Sequence, residues 1–155
     1  MSSTRLLALQ FTILFCLAVI LIPAGAHLFE YPAKMGLEPA EYMVTQRIYA
    51  GWAWFGVPIY AAMILLAIHA LVLRKNRLPM VLSLVAFAVV VLTQVIFWRY
   101  TFPMNAMTHN WTVSPPDIAA ARWQWETSHA LNAILTFVAF ILGTLAILVS
   151  RRRGC

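Results

Sequence analysis

The sequence predicts an all-α fold: an integral membrane, antiparallel four-helix bundle with both termini on the cytoplasmic side, formed by residues 1–155 as a single domain. Three observations carry that expectation. Of 155 residues, 63% are hydrophobic and only 10% are charged, more apolar surface than a soluble domain of this size can bury. Four apolar runs reach the roughly 20 residues that a helix needs to cross a bilayer core. None alternates with period two, so a barrel is disfavoured and helices remain.

The spans are read as 6–29, 48–73, 80–102 and 126–150. The first, "LLALQFTILFCLAVILIPAGAHLF", follows Arg5. Its "AGA" before His27 also fits a small-x-small cleavage site, which would remove residues 1–26. The apolar run 6–23 has 18 residues, longer than the usual signal-peptide core of about 7–15, so an uncleaved span is expected. Pro23 and Gly25 loosen its last turns, and Pro32 is expected to end it. Cys16 and Cys155 are not expected to pair, and no CxxCH offers covalent haem attachment.

Loop charges set the orientation. Arg5, Arg74, Lys75, Arg77 and Arg151 to Arg153 make seven of the eleven basic residues. They flank one side, the cytoplasm by the positive-inside rule. This placement accounts for the net charge of +6 without nucleic acid. The opposite side carries all five acidic residues, all six tryptophans, and His27, His109 and His129. Loop 30–47 contains a short helix started by Pro39. Loop 103–125 contains the turn "SPPD", whose Asp117 is placed to cap a helix beginning at Ile118. His69, near the cytoplasmic end of the second span, is expected to snorkel toward the interface. "NWT" at 110–112 fits a glycosylation sequon in a eukaryotic secretory setting.

The candidate site lies on the non-cytoplasmic side. His27 and Glu30 are spaced i, i+3 on the first span, and Glu126 and His129 on the fourth. Each pair shares a helix face. The reversed order, HxxE against ExxH, is read as level pairing of unlike groups. His27, Glu30, Glu126 and His129 are therefore candidate ligands of a transition metal, since bundles hold metals with Glu and His from facing helices. His27 and His129 are also candidate axial ligands of one haem. A structural His–Glu network and a proton-transfer role are the alternatives. Arg99, in "FWRYTF", is read either as a snorkelling cation or as a partner for Glu30, Glu126 or an anionic substrate group. Gln94, Thr93 and Asn132 are read as interhelical hydrogen-bonding groups.

At "FPMNAMTHNW" and "RWQWETSHALN" the chain resembles the anthrone-oxygenase-like family of small four-helix membrane proteins, whose bacterial members are mostly domains of unknown function. Pro103 and Asn105 match its Pro-x-Asn. Trp125 and His129 match its Trp followed four residues later by His or Asn. The family's usual Arg three residues further is Asn132 here. "PAGAHLFEYP" and "QRIYAGWAWFG" are similar to a bacterial subgroup.

The resemblance implies a bacterial inner-membrane oxidoreductase that oxidises a lipophilic aromatic or quinol-like substrate. In that reading His129 or Glu126 is the catalytic base and Arg99 assists. Trp52, Trp98 and Trp125, with Asn105 and Asn132, line the substrate pocket. No nucleotide or flavin motif is present, which leaves a metal, a haem or the substrate itself as the redox centre. The competing expectation is a non-catalytic accessory or lipophile-binding protein whose polar layer only fixes the helices. A transporter is disfavoured by the lack of a repeat and of mid-span charge.

Overall fold

The computed structural model describes residues 2–151, so the expectations placed on Arg152, Arg153 and Cys155 lie outside the described residues. Four long helices form the body: α1 (Ser3–Met35), α3 (Gly56–Val72), α4 (Arg77–Ile96) and α6 (Ile118–Arg151). Two short helices, α2 (Pro39–Thr45) and α5 (Phe102–Met107), lie at one end. With the 3-10 turns Gln46–Tyr49 and Trp52–Phe55, they build a layer there. Around the bundle the order is α1, α3, α4, α6, with α6 closing against α1.

Four helical stretches, Ser3–Met35, Trp52–Val72, Arg77–Met107 and Ile118–Arg151, have the length and apolarity to cross a bilayer. Large apolar side chains point outward along them, among them Phe11, Ile22, Val95, Phe137 and Leu148. The mid-bundle core is small by comparison. Ile13, Leu17 and Ile20 of α1 meet Ala62 and Leu66 of α3, Ala86 and Val90 of α4, and Ala139 of α6. Small residues let the helices approach closely. Gly143 marks a close approach: a Cβ there would stand 2.9 Å from Leu17 Cδ1.

Local chemistry explains the ends. Ser2 caps α1 by accepting from the Arg5 amide. Glu38 and Glu41 form a capping box around Pro39 at the start of α2. Asp117 Oδ1 accepts from Ala120 N at 2.9 Å, the cap expected of "SPPD".

The second span, read as 48–73, is α-helical only from Gly56, after the 3-10 turns Gln46–Tyr49 and Trp52–Phe55. Two further differences lie at prolines. Pro32 does not end α1, which runs on to Met35. A proline removes one backbone hydrogen bond, and here the turn beyond it is held from outside. Arg122 Nη1 donates to Leu37 O at 2.6 Å and reaches Lys34 O at 3.5 Å. Pro103, expected in a loop, opens α5. The chain reaches it through a π turn at Phe97–Thr101, directly before the residue that cannot donate to Arg99's carbonyl.

At 33 residues, α1 is about 50 Å long, and a bilayer core is about 30 Å thick. The end of α1 from His27 to Met35 carries His27, Glu30 and Lys34. It packs there against the first four turns of α6, which bring Arg122, Glu126 and His129 to the same level.

Candidate functional site

Antiparallel helices bring the two i, i+3 pairs together, with a different pairing from the expected one. Along α1 the histidine precedes the glutamate; along α6 the glutamate precedes the histidine. Reversing one helix therefore sets like beside like. His27 and His129 stack with ring centroids 3.9 Å apart and 22° between their planes. The expected level pairing of His with Glu is thus corrected to His with His. His27 is 5% exposed, and its Nδ1 has no hydrogen-bond partner among the described residues.

Glu126 is paired instead with a residue that sequence reasoning passed over. Lys34 Nζ lies 2.6 Å from Glu126 Oε1, and both side chains are buried. The same oxygen accepts from Tyr42 Oη at 3.0 Å and from Gln46 Nε2 at 3.2 Å. Three donors on one oxygen make this a well-satisfied buried charge, the condition under which such a pair persists. Glu126 Oε2 is left without a partner.

Lys34 also donates to Tyr49 Oη at 2.8 Å, and Tyr49 donates to Glu30 Oε2. Burial holds the Tyr49 phenol well above its ordinary range, with the hydrogen bond to Glu30 adding to it. Tyr42 is raised likewise, first by burial and then by the charge of Glu126. Both are neutral hydroxyls.

Aromatic rings wall the imidazoles. Trp125 lies 4.2 Å from His129 and 5.1 Å from His27, centroid to centroid. Tyr49 and Trp52 lie 4.6 Å and 5.5 Å from His27. Trp125 is fixed by donating its Nε1 to Asn105 Oδ1 at 2.7 Å, so Asn105 of α5 supports the site. Trp111 packs on Tyr42 and Trp125. It is presented by a turn in which His109, Asn110 and Trp111 all have positive φ. Thr108 holds that turn by accepting from the amides of Trp111, Thr112 and Val113.

Other expected site residues lie elsewhere. Arg99 is exposed, stands over the Tyr100 ring at 5.3 Å, and makes no salt bridge among the described residues; of its two readings the outward cation is the one observed. Trp98 is exposed and packs on Phe97 and Phe102, away from the imidazoles. Asn132 lies one turn below His129 on α6, with Oδ1 buried and unpartnered.

The expected metal donors do not assemble into one ligand set. Among the described residues no three His, Cys, Asp or Glu side chains are grouped to hold a metal. Each carboxylate is engaged by other donors: Glu126 by Lys34, Tyr42 and Gln46, and Glu30 by Tyr49. Haem fits less well. Axial imidazoles point their nitrogens at one iron from opposite faces of the macrocycle, whereas these two rings lie face to face.

Lys34 was detectable in principle. It stands at i+7 from His27 and i+4 from Glu30, on the same helical face, but reading Pro32 as a stop removed it from view. Tyr42, Gln46 and Tyr49 carried no comparable signal, because only the fold returns the segment 36–49 over α6.

At the other end of the bundle, His69 corrects a second expectation. It does not snorkel; it is fully buried. Its Nδ1 meets Ser83 Oγ at 2.9 Å and its Nε2 meets Gln10 Nε2 at 3.3 Å. Gln10 donates in turn to Ser150 Oγ at 2.9 Å. One network thus ties α1, α3, α4 and α6. A neutral imidazole donating to Ser83 and accepting from Gln10 satisfies both ring nitrogens, which makes burial cheaper than exposure.

Comparison of the chain with protein-family models, with curated proteins and with solved structures returns no match.

Proposed function

We propose that the protein is an oxidoreductase of the bacterial inner membrane, acting on a lipophilic aromatic or quinol-like substrate at the non-cytoplasmic end of its bundle. Both termini then lie in the cytoplasm, as the positive-inside rule requires of Arg5, Arg74, Lys75, Arg77 and Arg151. The observation that carries the reading is the stacked His27–His129 pair. One imidazole nitrogen is unpartnered and buried, and Tyr49, Trp52 and Trp125 surround it.

That arrangement suits proton abstraction. A neutral imidazole accepts a proton from an acidic C–H or a phenol. The indole and phenol rings favour a flat aromatic partner over an aliphatic one. Lys34 supplies positive charge beside the site, which favours the carbanion or phenolate so formed. Dioxygen takes the electrons: a hydroquinone gives the quinone and hydrogen peroxide, while an anthrone gains one oxygen atom and the other leaves as water. His129 and His27 are the base pair in this account, Glu126 sets the charge of the layer through Lys34, and Arg99 lies outside it.

Oxygen uptake by the protein in lipid nanodiscs, given a hydroxyanthrone or an alkylhydroquinone, tests the reading. Uptake with appearance of the quinone chromophore supports it. Uptake no faster than in empty nanodiscs refutes it.

A second reading, a non-catalytic accessory or lipophile-binding protein, is favoured by one observation. Glu126 ties α6 to α1, α2 and the turn after it through Lys34, Tyr42 and Gln46. In that case His27 and His129 variants lose stability and there is no turnover to lose.

A further inference from the structure

We propose that Lys34, Tyr49 and Glu30 form a proton path linking the buried Glu126 carboxylate to water at the surface of the loop layer. The proposal rests on the reading of this end as a site that moves protons; it gives Lys34, Tyr49 and Glu126 a further role and adds Glu30.

The path has two distinct ends. Inside, Glu126 is fully buried and its Oε2 is unpartnered. Outside, the Glu30 side chain is 39% exposed. Between them each contact is a hydrogen bond with one direction. Lys34 Nζ touches Glu126 Oε1 at 2.6 Å and donates to Tyr49 Oη at 2.8 Å. Tyr49 has a single proton and gives it to Glu30 Oε2. Direct passage from Lys34 to Glu30 is blocked by length, since Nζ and Oε2 are 4.0 Å apart. The phenol is the required bridge.

The transfer balances without electrons. A proton taken up on Glu126 leaves the carboxyl neutral. Lys34 passes a proton to the Tyr49 oxygen as Tyr49 passes its own to Glu30. The resulting Lys34 amine takes the proton from Glu126, and Glu30 releases one to water. Only O–H and N–H bonds form and break, and every group ends as it began, with one proton moved from the Glu126 side to water. Tyr49 is kept protonated at rest by its surroundings, as a relay hydroxyl must be.

The ring of Tyr49 packs on His27 and Trp52. Tyr49→Phe therefore removes the relay oxygen and keeps the packing. Glu30→Gln alters the exposed terminus alone.

The test is hydrogen exchange with solvent at the Lys34 ammonium, read by nitrogen-15 NMR on full-length protein in nanodiscs with no substrate present. Loss of the signal in Lys34→Arg assigns it. Exchange slowed on the order of tenfold or more in Tyr49→Phe and in Glu30→Gln, relative to the unaltered protein, is the expected result. A wild-type signal broadened away by exchange and recovered in both variants is the same outcome. Equal exchange in all three proteins overturns the path. Because no substrate is used, the path can stand while oxidation fails, and oxidation can stand while the path fails.

Discussion

Lys34 and Glu126 form a buried ion pair 2.6 Å long between the end of α1 and the start of α6. Neither partner has water to fall back on. Lys34→Met strands a carboxylate among aromatic rings, and the expected loss is about 3–5 kcal/mol. The double variant Lys34→Met with Glu126→Leu removes both charges and is expected to recover most of that loss. Thermal unfolding in detergent, run as a double-mutant cycle, measures the difference. A single variant as stable as the unaltered protein contradicts the buried pair.

The two tyrosines above this pair predict an alkaline limit. Their folded phenols are raised above the unfolded value of about 10. The stability they contribute is therefore fully present below about pH 10, and it falls as the pH climbs past that point and the unfolded chain ionises. Unfolding midpoints should drop above that pH, and Tyr42→Phe with Tyr49→Phe should flatten the drop. An unchanged slope in the double variant argues against buried neutral phenols.

At the opposite end, Ser83 is the acceptor that His69 needs. Ser83→Ala leaves a fully buried ring nitrogen without a partner, at an expected cost of about 1–3 kcal/mol. His69→Leu, which removes the polar ring altogether, leaves Gln10 one acceptor short but still bonded to Ser150. Chemical unfolding of the two variants checks whether the network or mere volume holds the four helices.

The left-handed turn at His109–Trp111 offers a gain. His109 is exposed with φ of 48°, a region that costs a residue with a Cβ roughly 1 kcal/mol or more. His109→Gly should raise stability by about 0.5–1 kcal/mol. A loss on that substitution means the turn is not strained as described.

Much of this architecture was legible in the residues. Long apolar runs with basic flanks specify four helices, because backbone in an apolar solvent has few alternatives. Pro39 and Asp117 each marked a helix start through local chemistry that needs no tertiary partner. The misses share one cause. Pro32 is a helix breaker by propensity, but Arg122, 90 positions later, holds the turn beyond it. His69 looked unpartnered because its partners, Gln10 and Ser83, sit on other helices. The site was half visible: His27, Glu30, Trp52, Trp125, Glu126 and His129 do meet; Lys34 shares their face of α1 beyond Pro32, while Tyr42, Gln46 and Tyr49 join only because the segment 36–49 folds back. Arg99 and Trp98 were placed near it by depth alone, and depth does not fix which way a helix face turns.

In the proposed function the stacked imidazoles abstract a proton from an aromatic substrate. The most direct measurement compares quinone formation and oxygen uptake by the unaltered protein with His129→Phe and His27→Phe in nanodiscs, with Trp98→Phe as the control away from the site. Phenylalanine keeps a stacked ring but has no nitrogen to receive a proton. The account predicts turnover by the unaltered and control proteins and a loss of about 100-fold or more in each histidine variant. Turnover by folded histidine variants at the unaltered rate would contradict it.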